Sequence, residues 1–408
     1  MAQAFDVVII GAGQAGLSLS HELTRSKREH VIFERGCVGQ GWRARWDSFC
    51  LVLPNWTVQL AGQPYAGPDP DGFMDRDVFV EYLASYARSF EAPVREGVSV
   101  DSLEAGAGGG FLLRTTIGEI TAREVVIATG GYQTPYRPAG IEALPPSLTV
   151  IDADGYANPA GLPPGRVLVI GSGQTGCQVA EELRLAGRDV VIACGRAPWQ
   201  PRRVGDRDIM AWVAGTPFLN MTAADLPSPM ARLAPNPQAS GRFGGHDLHY
   251  RTLQALGVVL VGHFLGVGDG RVRFADDLAE SVAFGDARYG DIREMVRKSA
   301  IAQGLAVPEM PAPPSFIADP PSSVDLGDLA AVVITSGFRP DYRRWVNLAG
   351  AFDEMGFPIA EQGSSTVVPG LHFMGVPFQR KRMSATLLGV GEDAEVLAER
   401  MMSPAISA

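Results

Sequence analysis

The chain is short of cysteine, of positive charge and of long apolar runs, and each shortage removes a class of explanation. Its four cysteines, Cys37, Cys50, Cys177 and Cys194, form no C-x-x-C pair among 408 residues. That spacing speaks against a disulfide framework, a zinc site and a redox-active cysteine couple. Acidic residues outnumber basic ones, 45 to 35, for a net charge of −10. This is the wrong sign for a nucleic-acid partner. No apolar stretch approaches the roughly 20 residues that span a bilayer. Met1 to Phe5 runs into a strand pattern without a basic leader, so a cytoplasmic protein with no membrane partner is expected. Among the six histidines, His246 and His249 share helical spacing. Only Asp247 stands beside them, so a helix start explains them better than a metal, and no metal is expected. No Ser-His-Asp pattern stands out.

Glycine is plentiful, at 48 residues, and its placement is informative. "VVIIGAGQAG" (Val7 to Gly16) and "VLVIGSGQTG" (Val167 to Gly176) repeat one pattern 160 positions apart. Each is a β-branched run, then G-x-G-x-x-G, then a helix-compatible stretch (Ala15 to Arg25; Cys177 to Ala186), which predicts strand, tight turn and helix. Gly11 and Gly171 permit the turn. Gly13 and Gly173 let backbone approach a pyrophosphate, and Gly16 and Gly176 allow close helix packing, with Gln14, Ala15, Gln174 and Thr175 completing the two turns. The phosphates then meet unpaired N–H groups at a helix N-terminus. One such motif is weak, since a structural turn serves as well; two at strand ends are stronger.

The copies diverge at the end of their second strands. In "HVIFERG" (His30 to Gly36), Glu34, followed by Arg35, stands eighteen positions after Gly16 and suits a ribose 2′-hydroxyl. In "VVIACGR" (Val190 to Arg196) Cys194 takes that place, and "GRAPWQPRR" offers Arg196, Arg202 and Arg203. Arginine forks match phosphate oxygens, although a solvated basic loop is the competing explanation. Glu34 would repel a 2′-phosphate, so two different dinucleotides are expected, FAD on the first unit and NADPH on the second.

The fold expected is α/β, with two Rossmann-like dinucleotide-binding domains and the NADPH domain inserted into the FAD domain. The expected bounds are 1–158 for the first part of the FAD domain, 159–325 for the NADPH domain and 326–408 for completion of the first. "FMDRDVFVEYLASYARSF" (Phe73 to Phe90) is an amphipathic helix candidate, a buried strand ends at Ala128-Thr129-Gly130, and "PAGLPP" (Pro159 to Pro164) is a connector. "AVVITSGFRPDYRRW" (Ala331 to Trp345) gives a strand closing on Ser336-Gly337, and Gly370 to Met401 gives a last strand and helix. Pro308 to Pro321 is expected to be loop. "QRKRM" (Gln379 to Met383) is a cation run that suits cofactor phosphates or plain solvent.

The segments "GAGQAG", "GWRARWDSFCLVLPNW", "ATGGYQTPYRP", "GSGQTG", "GRAPWQPRRVGDRD", "TSGFRPD" and "GVGEDA", in that order over nearly the full length, resemble flavoprotein monooxygenases of the flavin-containing monooxygenase type, and among them CzcO-like bacterial flavoproteins. The resemblance implies that NADPH reduces FAD, that reduced flavin captures O2 as a hydroperoxide, and that this oxygenates a small molecule at nitrogen, sulfur or a carbonyl. It places Asn55 at the reacting edge of the flavin, where a neutral amide both donates and accepts, though Pro-Asn is also a common turn pair. It places Trp42, Arg45 and Trp46 over the flavin, and Thr129, Gly130 and Gly337 along the cofactors. Gly391 and Glu392 would open the last helix near the flavin pyrimidine. Between the two units the family carries a histidine where this chain has Asp152, while Tyr156 is kept; the tyrosine fits the heteroatom-oxygenating branch. An NADPH-dependent reductase without oxygen insertion and a flavin-binding regulatory protein remain alternatives. A homo-oligomer stays open.

Overall fold

A computed structural model describes residues 3–402 of the chain. Its frame is two sheets. The first is ten-stranded and carries the order 346–347, 100–105, 111–115, 118–127, 3–10, 30–34, 94–96. Its centre is parallel because β-branched runs with no polar face must be covered on both sides. Val7, Val8, Ile9, Val125, Val126 and Ile127 are all fully buried. Register levels the strand ends: Ile10 pairs with Phe33 and with Ile127, and Phe373 pairs with Ile127. Gly11, Glu34, Ala128 and Met374 therefore stand level along one carboxyl edge, where ligands of open α/β sheets sit.

The second sheet has five strands in the order 149–152, 329–334, 166–170, 190–193, 259–261, all parallel. Its membership corrects the expected bounds of 159–325. Thr149–Asp152 and Leu329–Ile334 both belong to this unit, so its strands span residues 149 to 334. The Pro-rich connector that suggested a boundary lies inside the unit, as the short turn Pro159–Gly161. A prolyl stretch marks a break in regular structure and does not say which sheet the flanking strands join. The chain leaves and re-enters the first unit side by side, where Phe338–Arg339 pairs antiparallel with Thr134–Pro135.

Helices Gln14–Arg25, Arg76–Ser89, Gln174–Leu185 and Val390–Met402 form where the sequence places them. The helix Leu278–Ala302 was not expected. Its Tyr289, Ile292, Val296 and Ala300 pack with Trp199 and Trp212 in a separate core cluster, at the three-to-four spacing that would have announced it. Residues 308–320 carry no regular structure, as expected. Among the described residues no helix is long and apolar enough to cross a membrane.

Candidate functional site

The first glycine turn divides its labour among three positions. Gly11 has φ +110°, and a Cβ there would stand 2.6 Å from the Ala128 carbonyl oxygen. At Gly16 a Cβ would fall 2.0 Å from the Gly11 oxygen, whereas at Gly13 it would meet nothing within 4 Å. Two glycines are thus demanded by the fold. The third leaves open a cradle at the helix start, bordered by Gln14 and Ala15, that a pyrophosphate fits. Glu34 is 7% exposed; its Oε2 accepts from the Ala12 amide at 2.9 Å and its Oε1 from the Gly36 amide at 3.0 Å. Each oxygen keeps a lone pair for a ribose hydroxyl. Arg35 is exposed beside it.

Trp42 donates from Nε1 to Gln14 Oε1 at 2.8 Å and meets Phe79 edge-on at 4.8 Å, so it leans on the glycine turn. Trp46 is buried against Phe49 at 5.0 Å and belongs to the core. Arg45 stacks its guanidinium over Tyr132 at 4.5 Å, and its buried Nε has no partner among the described residues. Burial pulls its pKa down, as expected for a cation awaiting an acceptor. Thr129 and Gly130 follow the carboxyl end of their strand, and Gln133 donates to the Gly130 oxygen at 2.9 Å.

Asn55 opens a 3-10 turn and is buried. Its Nδ2 donates to the Asp69 oxygen at 2.9 Å, and its Oδ1 accepts from the Met74 amide at 2.8 Å. Half of its hydrogen-bonding capacity braces the loop 69–74, the turn role weighed against catalysis. One Nδ2 hydrogen and one Oδ1 lone pair remain.

The second turn repeats the first. A Cβ on Gly176 would fall 1.9 Å from the Gly171 oxygen, and Gly173 would meet only Pro235, at 3.7 Å. No acid replaces Glu34. Instead Ser172 Oγ accepts from the Gly195 amide at 2.8 Å and bonds the Tyr250 hydroxyl at 2.6 Å. Gln174 bonds the Ala239 oxygen, and Gln238 donates to the Ser172 oxygen at 2.5 Å, so the segment 235–239 lies on this turn. Thr175 is half-buried on the first turn of the helix. Sequence reasoning missed Ser172, Tyr250 and this strap, because their partners lie tens of residues away.

Of the three arginines, Arg196 and Arg203 are exposed, and Arg203 reaches the Gly244 oxygen at 3.3 Å. Arg202 is a correction. It is 1% exposed, bonds Asp208 Oδ1 and the Val52 oxygen at 2.7 Å each, and covers Phe73 at 4.9 Å. A guanidinium buried on a carboxylate is a joint between the two units, and it is not free to take a phosphate. His249 caps the helix Tyr250–Ala255, as expected. Gly391 lies in the first turn of the last helix, where a Cβ would stand 2.5 Å from the Gln59 oxygen. Glu392 is held by Lys381 Nζ at 2.7 Å, a neutralised carboxylate that faces its own loop. Gly337 sits in the ribbon joining the units, its oxygen accepting from Tyr136 at 2.9 Å.

Asp152 pairs with Arg137 at 2.7 Å. Next to it Glu182 ties the units: its Oε1 accepts from Ser48 of the first unit at 2.5 Å, while its Oε2 accepts from the Tyr156 hydroxyl of its own unit at 2.8 Å. All four cysteines are free. Burial pushes the Cys50 thiol up to about 12 and raises Cys177 and Cys194 as well, which starves them of the thiolate that disulfide exchange needs. A cleft lined by Gly165, Arg166, Gly187, Arg188, Asp189 and Asp328 lies at the opposite edge of the second sheet. Its Arg166 is already paired with Asp189, and it is no continuation of this site. Among the described residues no group of three His, Cys, Asp or Glu could hold a metal.

A family model described as pyridine nucleotide-disulphide oxidoreductase matches residues 8–216. The uncharacterized oxidoreductase CzcO-like of Geobacillus kaustophilus is 29% identical, covering 99% of this chain and 100% of its own. A flavin-containing monooxygenase from Stenotrophomonas maltophilia superposes with TM-score 0.66 at 20% identity, covering 98% of both chains. The bacillithiol disulfide reductase Bdr from Staphylococcus aureus gives TM-score 0.62 at 14% identity, again over 98% of both. At such identities the structural likeness is one of fold.

Proposed function

We propose, from the premise that this chain belongs to the pyridine nucleotide-disulphide oxidoreductase family, that it is an FAD- and NADPH-dependent monooxygenase of small molecules in the cytosol. It is an enzyme of oxidoreductase type. The observation that carries the cofactor pair is electrostatic: two turns of one geometry, the first ending on the buried carboxylate of Glu34, the second on the neutral Ser172–Tyr250 pair with Arg196 and Arg203 exposed nearby. The first repels a 2′-phosphate and accepts ribose hydroxyls; the second admits the phosphate. FAD would be held by Gly11 to Gly16, Glu34 and Arg45, and NADPH by Gly171 to Gly176, Arg196 and Arg203. Bound there, the flavin supplies the redox chemistry between NADPH and O2. A disulphide substrate is disfavoured by the burial of Cys50, Cys177 and Cys194, which leaves half-buried Cys37 without a second accessible thiol.

Oxygen goes to nitrogen or sulfur in this reading, with the remaining Nδ2 hydrogen of Asn55 turned to the reacting edge. Electron transfer without oxygen insertion is the second reading, and the observation favouring it is the bracing of Asn55 on Asp69 and Met74. The test is anaerobic reduction of the yellow protein by NADPH, then oxygen and a panel of amines and sulfides, with NADPH, hydrogen peroxide and oxygenated product all counted. One oxygenated product per NADPH is expected. Hydrogen peroxide alone across the panel would leave the second reading standing.

A further inference from the structure

The run Gln379 to Met383 contains three consecutive cations in unequal situations. Arg380 meets Asp393 at 2.8 Å and Glu392 at 3.4 Å, and Lys381 meets Glu392 at 2.7 Å. Arg382 has no carboxylate and no hydrogen bond to its guanidinium among the described residues. Its head lies over Phe218 at 4.2 Å and near Phe378 at 5.7 Å. The residue is half-buried, and this partial burial lowers its pKa with no anion to offset it.

The surroundings hold it there. The Arg382 amide donates to the Met221 oxygen at 2.7 Å and the Met383 amide to the Leu219 oxygen at 3.3 Å, so the loop is pinned to the second unit. The Gln59 amide donates to the Leu387 oxygen at 3.0 Å, which pins the same loop beside the turn of Asn55. Phe378 has φ +58°, a left-handed conformation that a bulky residue adopts only when something compensates. Here its ring borders the guanidinium. Leu53, Trp56, Phe218 and Leu219 join one apolar cluster at this junction.

We propose that Arg382 anchors the carboxylate of the substrate, so that the oxygenated compound is an amphipathic monoanion whose apolar body rests on this aromatic wall. This rests on the monooxygenase reading given above. One unneutralised cation matches one negative charge, and a planar guanidinium matches a carboxylate bidentately. A phosphate would call for more, and the two cations next to it are already spent on Glu392 and Asp393.

The probes are 4-(methylthio)benzoate and methyl phenyl sulfide, which share ring and thioether and differ in the carboxylate. Binding to the flavin-loaded protein is followed by calorimetry. Wild type binds the carboxylate roughly tenfold to a hundredfold more tightly, the size of one charge-assisted contact. Arg382→Gln erases that preference and Arg382→Lys keeps part of it, with thermal unfolding confirming that both variants are folded. Equal binding of the two probes by wild type, binding of neither, or a preference surviving Arg382→Gln overturns the proposal. So does an equal loss of NADP⁺ affinity in Arg382→Gln, because the cation would then serve the nucleotide. The readout is binding, so a protein that anchors the carboxylate yet releases only hydrogen peroxide would sink the oxygenation reading and leave this anchor in place.

Discussion

Gly13 and Gly16 stand three residues apart in one motif, and replacing them should fail in different ways. Gly13 has φ −84° and ψ −174°, extended backbone that any residue adopts, and a Cβ there meets nothing within 4 Å. Valine at this N-cap costs of order 1 kcal/mol of helix stability, a shift of roughly 2–4 °C in Tm for a unit of this size. Its side chain projects into the space where a pyrophosphate would accept backbone N–H bonds. Losing two charge-assisted bonds at about 1.5–3 kcal/mol each removes roughly 3–6 kcal/mol of binding, a hundredfold to ten-thousandfold in affinity. Gly13→Val should therefore purify folded and colourless. In Gly16→Ala the new methyl falls 2.0 Å from the Gly11 oxygen. The helix must shift at a cost of about 1–3 kcal/mol or more, so this variant loses stability first. Flavin content by absorbance and unfolding of the apoproteins separate the two effects. A Gly13→Val protein that retains full flavin, or a Gly16→Ala protein as stable as wild type, would refute the assignment of the cradle.

The arginines give a second contrast. Arg203→Ala and Arg196→Ala should raise the KM for NADPH much more than for NADH, whereas Arg202→Ala should destabilise the protein by about 3–5 kcal/mol by stranding Asp208, which is 2% exposed; denaturant melts and steady-state kinetics with both nucleotides check this. His246 and His249 should act on stability in opposite directions. The hydrogen bond that His246 donates to the Glu181 carboxylate raises the His246 pKa above 6.5, so its contribution is full below pH 6.5 and is lost as pH rises through the folded value. Burial lowers His249 to about 4, so the unfolded chain takes up a proton that the folded one refuses, and stability falls from pH 6.5 toward 4. Urea melts across pH 4 to 8 on His246→Gln and His249→Gln should each flatten one limb. Finally, Tyr156→Phe leaves Glu182 Oε2 without its donor. It should cost about 1–3 kcal/mol and speed proteolysis of the 149–166 connection without changing flavin content.

The local code of this chain was legible. β-branched runs ending in G-x-G-x-x-G announce strand, turn and helix because the turn, the close packing and the helix start are all set within ten consecutive residues. Glu34 was legible for the same reason, since its place at the end of the second strand follows from a fixed offset. The limits of the second unit were not, because a parallel edge strand such as Thr149–Asp152 is assigned by a partner, Leu329–Ile334, that lies far along the chain. Nor could sequence tell Arg202 from Arg203. Successive residues of extended backbone face opposite sides, so Arg202, just before the short strand Arg203–Val204, is buried on Asp208 and Arg203 reaches solvent. The same holds for "QRKRM", a single charge run whose first two cations find carboxylates on the last helix while the third is left between two rings. Which charges are cancelled is decided by distances in space, and charge cancellation is what separates a structural cation from one available to a ligand.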